Sequence, residues 1–174
     1  PNFAEHVPLI DPNLSPAQKV MNSRFFAAIY ESPIWRPLHT RIGSGKSMEE
    51  ELDEVLALSD ASGKGAVADL ACGTGHYARA FARRLPGVPV YGVDISPGML
   101  VQGLKLARAE GLRTILFLRG DIHRLPFASA SLDRVNCSGA LHLFSNLAPI
   151  WEEVSRILKP GGVSSRARAL ASSA

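Results

Sequence analysis

The chain has 174 residues, of which 46% are hydrophobic and 20% charged, and its formal net charge is +3. That length and balance are those of one soluble globular domain with a sizeable core. No apolar run reaches the length of a membrane span, and no signal-peptide pattern opens the chain. Lys and Arg are scattered rather than gathered in a stripe, so the sequence gives no sign of a nucleic-acid partner. Two cysteines, Cys72 and Cys137, make neither a disulfide framework nor a metal cluster, which predicts no metal site and a reducing, cytoplasmic setting.

The first fifteen residues are rich in Pro and Asn and read as an arm rather than as an element. From Pro16 the pattern turns helical, with Val20, Phe25, Phe26, Ile29 and Tyr30 on one apolar face, until Pro33 and Pro37 break it. Trp35, Phe25 and Phe26 read either as a lid or as plain core. Ser47 and Glu50 form a capping box that opens a helix with Leu52, Val55, Leu56 and Leu58 facing inward. Residues 1–62 are therefore expected to form an arm and helices that cap a core spanning 63–163.

That core alternates short apolar runs with helical patterns. Strands are expected at 66–70, 88–93, 114–118 and 132–137, and helices at 76–85, 97–110 and 147–158. Such alternation predicts an α/β fold: a parallel sheet with helices on both faces. The tail, residues 164–174, lacks the β-branched run of a buried strand and reads as irregular.

Three strand ends carry acids. The first runs Asp69-Leu70-Ala71-Cys72-Gly73-Thr74-Gly75 straight into a helix. Glycines there permit a sharp turn and close approach of a ligand, and the helix start offers unpaired N–H groups to an anion. Glycines required by turn geometry alone are the plainer reading. Gly73, Gly75 and Ala78 also fit a dinucleotide fingerprint, with Asp94 about 20 residues on, which leaves an NAD-dependent oxidoreductase open. Asp69 argues against it, because its charge would be unfavourable beside a pyrophosphate and favourable beside an ammonium.

The second strand ends at Asp94, followed by Ser96 at an N-cap and Pro97 at the first helical position. Asp94 suits the two hydroxyls of a ribose, or serves the helix dipole. The third strand leads into Gly120-Asp121-Ile122-His123, where Asp121 is either an acceptor for an adenine amino group or an ordinary turn residue. All three acids face the crevice where open α/β sheets bind ligands. His142, just past the fourth strand, is a candidate base or substrate contact, or simply a loop histidine. Cys72 reads as a small buried residue rather than a nucleophile.

These motifs, with Leu125-Pro126-Phe127, Leu132-Asp133-Arg134-Val135 and Ile157-Leu158-Lys159-Pro160-Gly161-Gly162, resemble class I methyltransferases of the ubiquinone/menaquinone-biosynthesis type over residues 67–162. The resemblance implies S-adenosyl-L-methionine as cofactor and transfer of its methyl group to a small-molecule acceptor. It implies that Asp69, Gly73 and Gly75 surround the methionine portion. Ala71 stands where the family often has glycine. Asp94 would hold the ribose, with Ile95 and Met99 against the adenine. Asp121 would bond the adenine amino group with Ile122 beside the ring, and Cys137 and Ser138 would border the ammonium and the methyl donor. Family members continue past Gly162 with a further apolar strand, a helix and a hairpin, so the resemblance implies a Rossmann-like domain truncated at its C-terminus, with a sheet of about four to five strands that is incomplete at its C-terminal edge. The strand at 132–137 would then be an open edge inviting self-association. A module that binds the cofactor without turnover is the alternative to an active enzyme.

Overall fold

The computed structural model describes residues 3–5, 48–58, 65–138, 140–141, 144 and 146–165. In chain order the elements are β1 (Phe3–Glu5), α1 (Met48–Leu58), β2 (Val67–Leu70), α2 (His76–Arg84), β3 (Val90–Asp94), α3 (Pro97–Ala109), β4 (Ile115–Arg119), β5 (Leu132–Asn136), α4 (Ala148–Ile157) and β6 (Leu158–Ser164). Among the described residues six strands form one sheet in the order β1-β4-β3-β2-β5-β6, and every pairing is parallel. Chain order reverses direction across the sheet at β2. That reversal opens a crevice above the strand ends, the usual ligand position in such sheets.

Alternation along the strands sends side chains into two cores. Val67, Val90, Ile115 and Phe117 face α1, α2 and α3, where they meet Val55, Leu56, Phe81 and Leu100. Ala68, Leu70, Val93, Leu118 and Val135 face the other way, toward Ile150, Val154 and Ile157 of α4. The expected helix after Ser47 is present, with Val55 and Leu56 buried and Leu52 packed against the same core. Ser96 caps α3 as its spacing predicts, accepting from the Met99 N–H at 3.4 Å with Pro97 in the first turn. The helical segment expected from Pro16, the lid residues Phe25, Phe26 and Trp35, and His142 lie outside the described residues.

Two expectations are corrected. The opening arm contributes an element: Phe3–Glu5 pairs with Phe117, Leu118 and Arg119 at the β4 edge. Nor is the fourth core strand an edge, because Leu158–Ser164 pairs beside it, with Leu132 opposite Leu158 and Val135 opposite Ser164. The ladder is made by backbone groups, which do not require β-branched side chains. A register irregularity lets Lys159, Pro160 and Gly161 bulge into solvent, where Lys159 Nζ reaches both oxygens of Asp133 at 3.0 and 2.9 Å.

Phe117 is fully buried in a slot walled by glycines. A Cβ built on Gly75, Gly92 or Gly103 would come within 2.6, 2.9 or 3.0 Å of its ring. Gly92→Ala should therefore destabilise the chain by about 1–3 kcal/mol through overpacking. Adding Phe117→Leu should recover part of that loss, a coupling that urea unfolding of the single and double variants would measure. Strictly additive losses would contradict the slot.

Candidate functional site

The turn after β2 is built against the grain of its sequence at one position. Ala71 has φ 49°, a left-handed conformation that strains a residue with a Cβ by about 1–2 kcal/mol. The chain then folds back through Gly75, which has φ 74° and stands at the N-cap of α2. The Cys72 N–H donates to the Val93 carbonyl at 3.0 Å, and the Gly75 N–H donates to the Cys72 carbonyl at 2.9 Å. A Cβ on Gly73 would meet nothing within 4 Å, so the turn opens on free space there. At Gly75 the corresponding space is taken by Phe117.

Glycine at the N-cap supplies no side chain to receive the orphan N–H groups of α2. Asp69 does this from the end of β2. Its Oδ2 accepts the Ala78 N–H at 2.9 Å, and its Oδ1 accepts from Asn136 Nδ2 at 2.7 Å. Asp69 is 1% exposed. It thus lies beneath the turn and supports it. Asn136, which sequence reading did not single out, is fully buried, and its Oδ1 accepts from the hydroxyls of Ser138 at 2.8 Å and Ser165 at 2.6 Å. A polar residue at a strand's last inward position is the one signal that could have marked it.

Asp94 ties the ends of β2 and β3 together. Its Oδ2 accepts the Gly73 N–H at 2.7 Å and its Oδ1 accepts the Ser96 N–H at 2.8 Å. Burial pushes its carboxyl above the ordinary aspartate value, against the pull of the Ser96, Gly73 and Ile95 backbone N–H groups. A raised native value favours the fold at pH below the unfolded carboxyl range, and that contribution is lost as pH rises through the native value. Asp133 and Glu153 have the opposite sign. Lys159 and Arg156 respectively hold them below the usual range by hydrogen bonding, so their contribution is present above the unfolded value and lost as pH falls through the native one.

Around these acids, Ile95 is partly buried beside the crevice, Met99 is 4% exposed and Ile122 is 7% exposed. Asp121 lies half-exposed after β4, its Oδ1 accepting the His123 N–H at 2.9 Å and lying 2.8 Å from His123 Nδ1. Cys137 is fully buried in the α4-side core, and Ser138 is partly exposed next to it. Cys72 keeps its proton, because burial, Asp94 and Asp69 raise its thiol pKa well above the ordinary value. The structure thus gathers Asp69, Ala71, Gly73, Gly75, Asp94, Cys137 and Ser138 around β2 and its neighbours β3 and β5, and puts Asp121 and Ile122 after β4. No helix among the described residues is long and apolar enough to cross a membrane.

A parallel sheet reversing at β2, with a glycine turn leading into a helix and an acid at the next strand's end, is the Rossmann-like arrangement of class I methyltransferases. Residues 67–162 match the methyltransferase-domain family, and the chain belongs to it. It is 37% identical over 103 residues to an uncharacterised chloroplastic methyltransferase of Arabidopsis thaliana, covering 57% of this chain and 29% of that protein. It is 36% identical over 96 residues to the demethylmenaquinone methyltransferase of Thermus thermophilus, covering 55% of this chain and 43% of that one. The crystal structure of YcgJ from Bacillus subtilis superposes with a TM-score of 0.60 at 30% identity, over 66% of this chain and 48% of that one. The chain spans less than half the length of each of these proteins. S-adenosylmethionine is the cofactor that goes with this family and fold.

Removing the Asp69 carboxylate strips α2 of its cap and leaves the Asn136 amide without its acceptor. Asp69→Ala should cost about 2–4 kcal/mol in urea unfolding. Ala71→Gly should instead be neutral or stabilising by up to about 1 kcal/mol, since relief of left-handed strain outweighs the added freedom of the unfolded chain. A marked loss of stability from Ala71→Gly would show that the Ala71 methyl group is needed where it stands.

Proposed function

We propose that this chain is the S-adenosylmethionine-binding part of a methyltransferase acting on a small-molecule acceptor. The observation that carries the reading is the Asp69 carboxylate seated on the start of α2. In a dinucleotide fold that helix start receives a pyrophosphate. Here the protein's own anion takes the N–H group and the positive end of the dipole. A second anion beside it would be repelled, whereas an ammonium or sulfonium nearby would be attracted. This favours a cationic cofactor without phosphate over NAD.

Within that reading, Asp69, Ala71, Gly73 and Gly75 form and support the wall for the methionine portion, with Gly73 offering the open approach. Asp94 accepts the ribose hydroxyls with lone pairs beyond those taken by Gly73 and Ser96. Ile95 and Met99 border the adenine, Asp121 accepts from its amino group and Ile122 lies beside it. Cys137 and Ser138 border the ammonium, and His142 is the candidate base or acceptor contact. The cofactor brings an activated methyl group on a sulfonium. The chain's residues orient it and exclude water, and a base is needed only if the acceptor must lose a proton.

Quinols and phenols are the first acceptors to test, given the name of the Thermus relative. We place the chain in a reducing compartment, the cytoplasm in our reading, since both cysteines are free thiols. We expect no nucleic-acid partner. Any self-association would run through an outer strand of the described sheet, β6 or β1, rather than through β5. A chain that binds the cofactor without turnover is the second reading. Radiolabelled methyl transfer decides between the two.

Calorimetry should show binding of S-adenosylhomocysteine and none of NAD at similar concentration; the reverse would sink the assignment. Asp94→Ala should weaken that binding about ten- to a hundred-fold. It should also lower the melting temperature, because two backbone N–H groups lose their acceptor. In the unaltered chain, affinity should fall on the acid side as Asp94 takes up its proton, with a midpoint above the ordinary aspartate value. A pH-independent affinity would mean that Asp94 serves only the fold.

A further inference from the structure

The crossover from β4 to β5 contains no helix. Residues 120–131 carry one isolated bridge, between Asp121 and Arg124, where a parallel crossover usually runs through a helix that satisfies its own backbone. Backbone polar groups in such a segment need other partners. Two side chains of α4 provide them. Glu153 Oε1 accepts the Leu125 N–H at 2.7 Å. Arg156 donates through Nη2 to the Leu125 carbonyl at 3.3 Å, and through Nη1 to the Phe127 carbonyl at 2.8 Å and to Ser129 Oγ at 3.4 Å. The two side chains also grip each other, Nε to Oε2 and Nη2 to Oε1, both at 2.7 Å. Backbone bonds from Ala130 to the Arg156 carbonyl and from Ser131 to the Ile157 carbonyl extend the strap to the start of β5.

Leu125 is therefore held at both its N–H and its carbonyl by one ion pair. The pair sits on a helix whose other face, Ile150, Val154 and Ile157, is locked in the core. Directly upstream is the turn bearing Asp121 and Ile122, closed by the Arg124 N–H on the Asp121 carbonyl at 3.0 Å. Directly downstream, Phe127 lies edge-on to Tyr91 of β3 with ring centroids 5.3 Å apart. Glu153 stays ionised across neutral pH, since Arg156 holds its carboxyl below the usual range.

We propose that Glu153 and Arg156 are positioning residues that set the site's preference for adenine, by fixing the segment from Asp121 to Phe127 against α4. The proposal rests on the placement of the adenine amino group at Asp121 given above. Neither side chain needs to touch the nucleoside. A carboxylate aimed at a 6-amino group rejects a 6-oxo purine, because acceptor then faces acceptor. The rejection is only as sharp as the carboxylate is well placed.

The test compares S-adenosylhomocysteine with S-inosylhomocysteine by calorimetry, in the unaltered chain and in Glu153→Gln and Arg156→Lys. Both substitutions preserve size and the possibility of folding, which near-ultraviolet circular dichroism would check. The unaltered chain should prefer the adenine compound by at least about tenfold, and Arg156→Lys should cut the preference to about threefold or less. Amide exchange at Leu125 should speed up in both variants without any ligand. Equal weakening of both compounds, or an unchanged preference, would overturn the proposal and leave the adenine placement standing. An unaltered chain that binds both compounds alike would overturn the placement at Asp121 together with the proposal.

Discussion

A buried carboxylate is costly unless donors meet it, and Asp69 is met from two directions at once. The Ala78 N–H comes from α2 and the Asn136 amide from β5. Those two bonds join the first strand–helix unit to the far half of the sheet. They also dictate what lies beyond. Because Asp69 only accepts, Asn136 must present its nitrogen to it and turn its oxygen toward Ser138 and Ser165. Both hydroxyls then spend their protons inward, and the outward face of Ser138 is left to accept. One charge thus orders polar groups on β2, β5 and the end of β6.

The parts of the fold legible in the sequence are those encoded by neighbours in the chain. Strand and helix periodicity, the Ser96-Pro97 cap and the acids at strand ends need only local information, and each appears where its spacing puts it. The parts that escaped are non-local. β1 is three residues long, too short for periodicity, and exists because β4 offers an unpaired edge. β6 has weak strand propensity but receives a ladder from β5 on one side and a chain delivered by α4 on the other. Asn136 gains meaning only through a partner 67 positions away.

The same distinction applies to the site. Asp94 was readable as a ligand-facing acid or as a helix-end acid. In the structure its carboxylate serves the helix end at Ser96 and the turn at Gly73 together. That double duty adds to the Cys72 N–H bond on the Val93 carbonyl in holding the turn against β3. The acids that bear on this chain are therefore divided by environment. Asp94 is kept costly by burial, while Asp133 and Glu153 are made comfortable by a cation each. Functional surfaces are commonly marked by groups of the first kind, and scaffolding by the second.

The Phe117 slot changes what a glycine signature means. Of the two glycines after β2, Gly73 faces open space, but Gly75 makes room for the protein's own ring as well as for a left-handed backbone. The letters that a dinucleotide search would count as ligand contacts are thus, in part, a record of internal packing. Positions 92 and 117 should drift through evolution together, whereas Gly75 is also held by its left-handed backbone and Gly103 by the Thr74 carbonyl, 2.8 Å from where its Cβ would stand. A relative carrying alanine at the place of Gly92 is expected to carry something smaller than phenylalanine at the place of Phe117, and to keep its cofactor all the same.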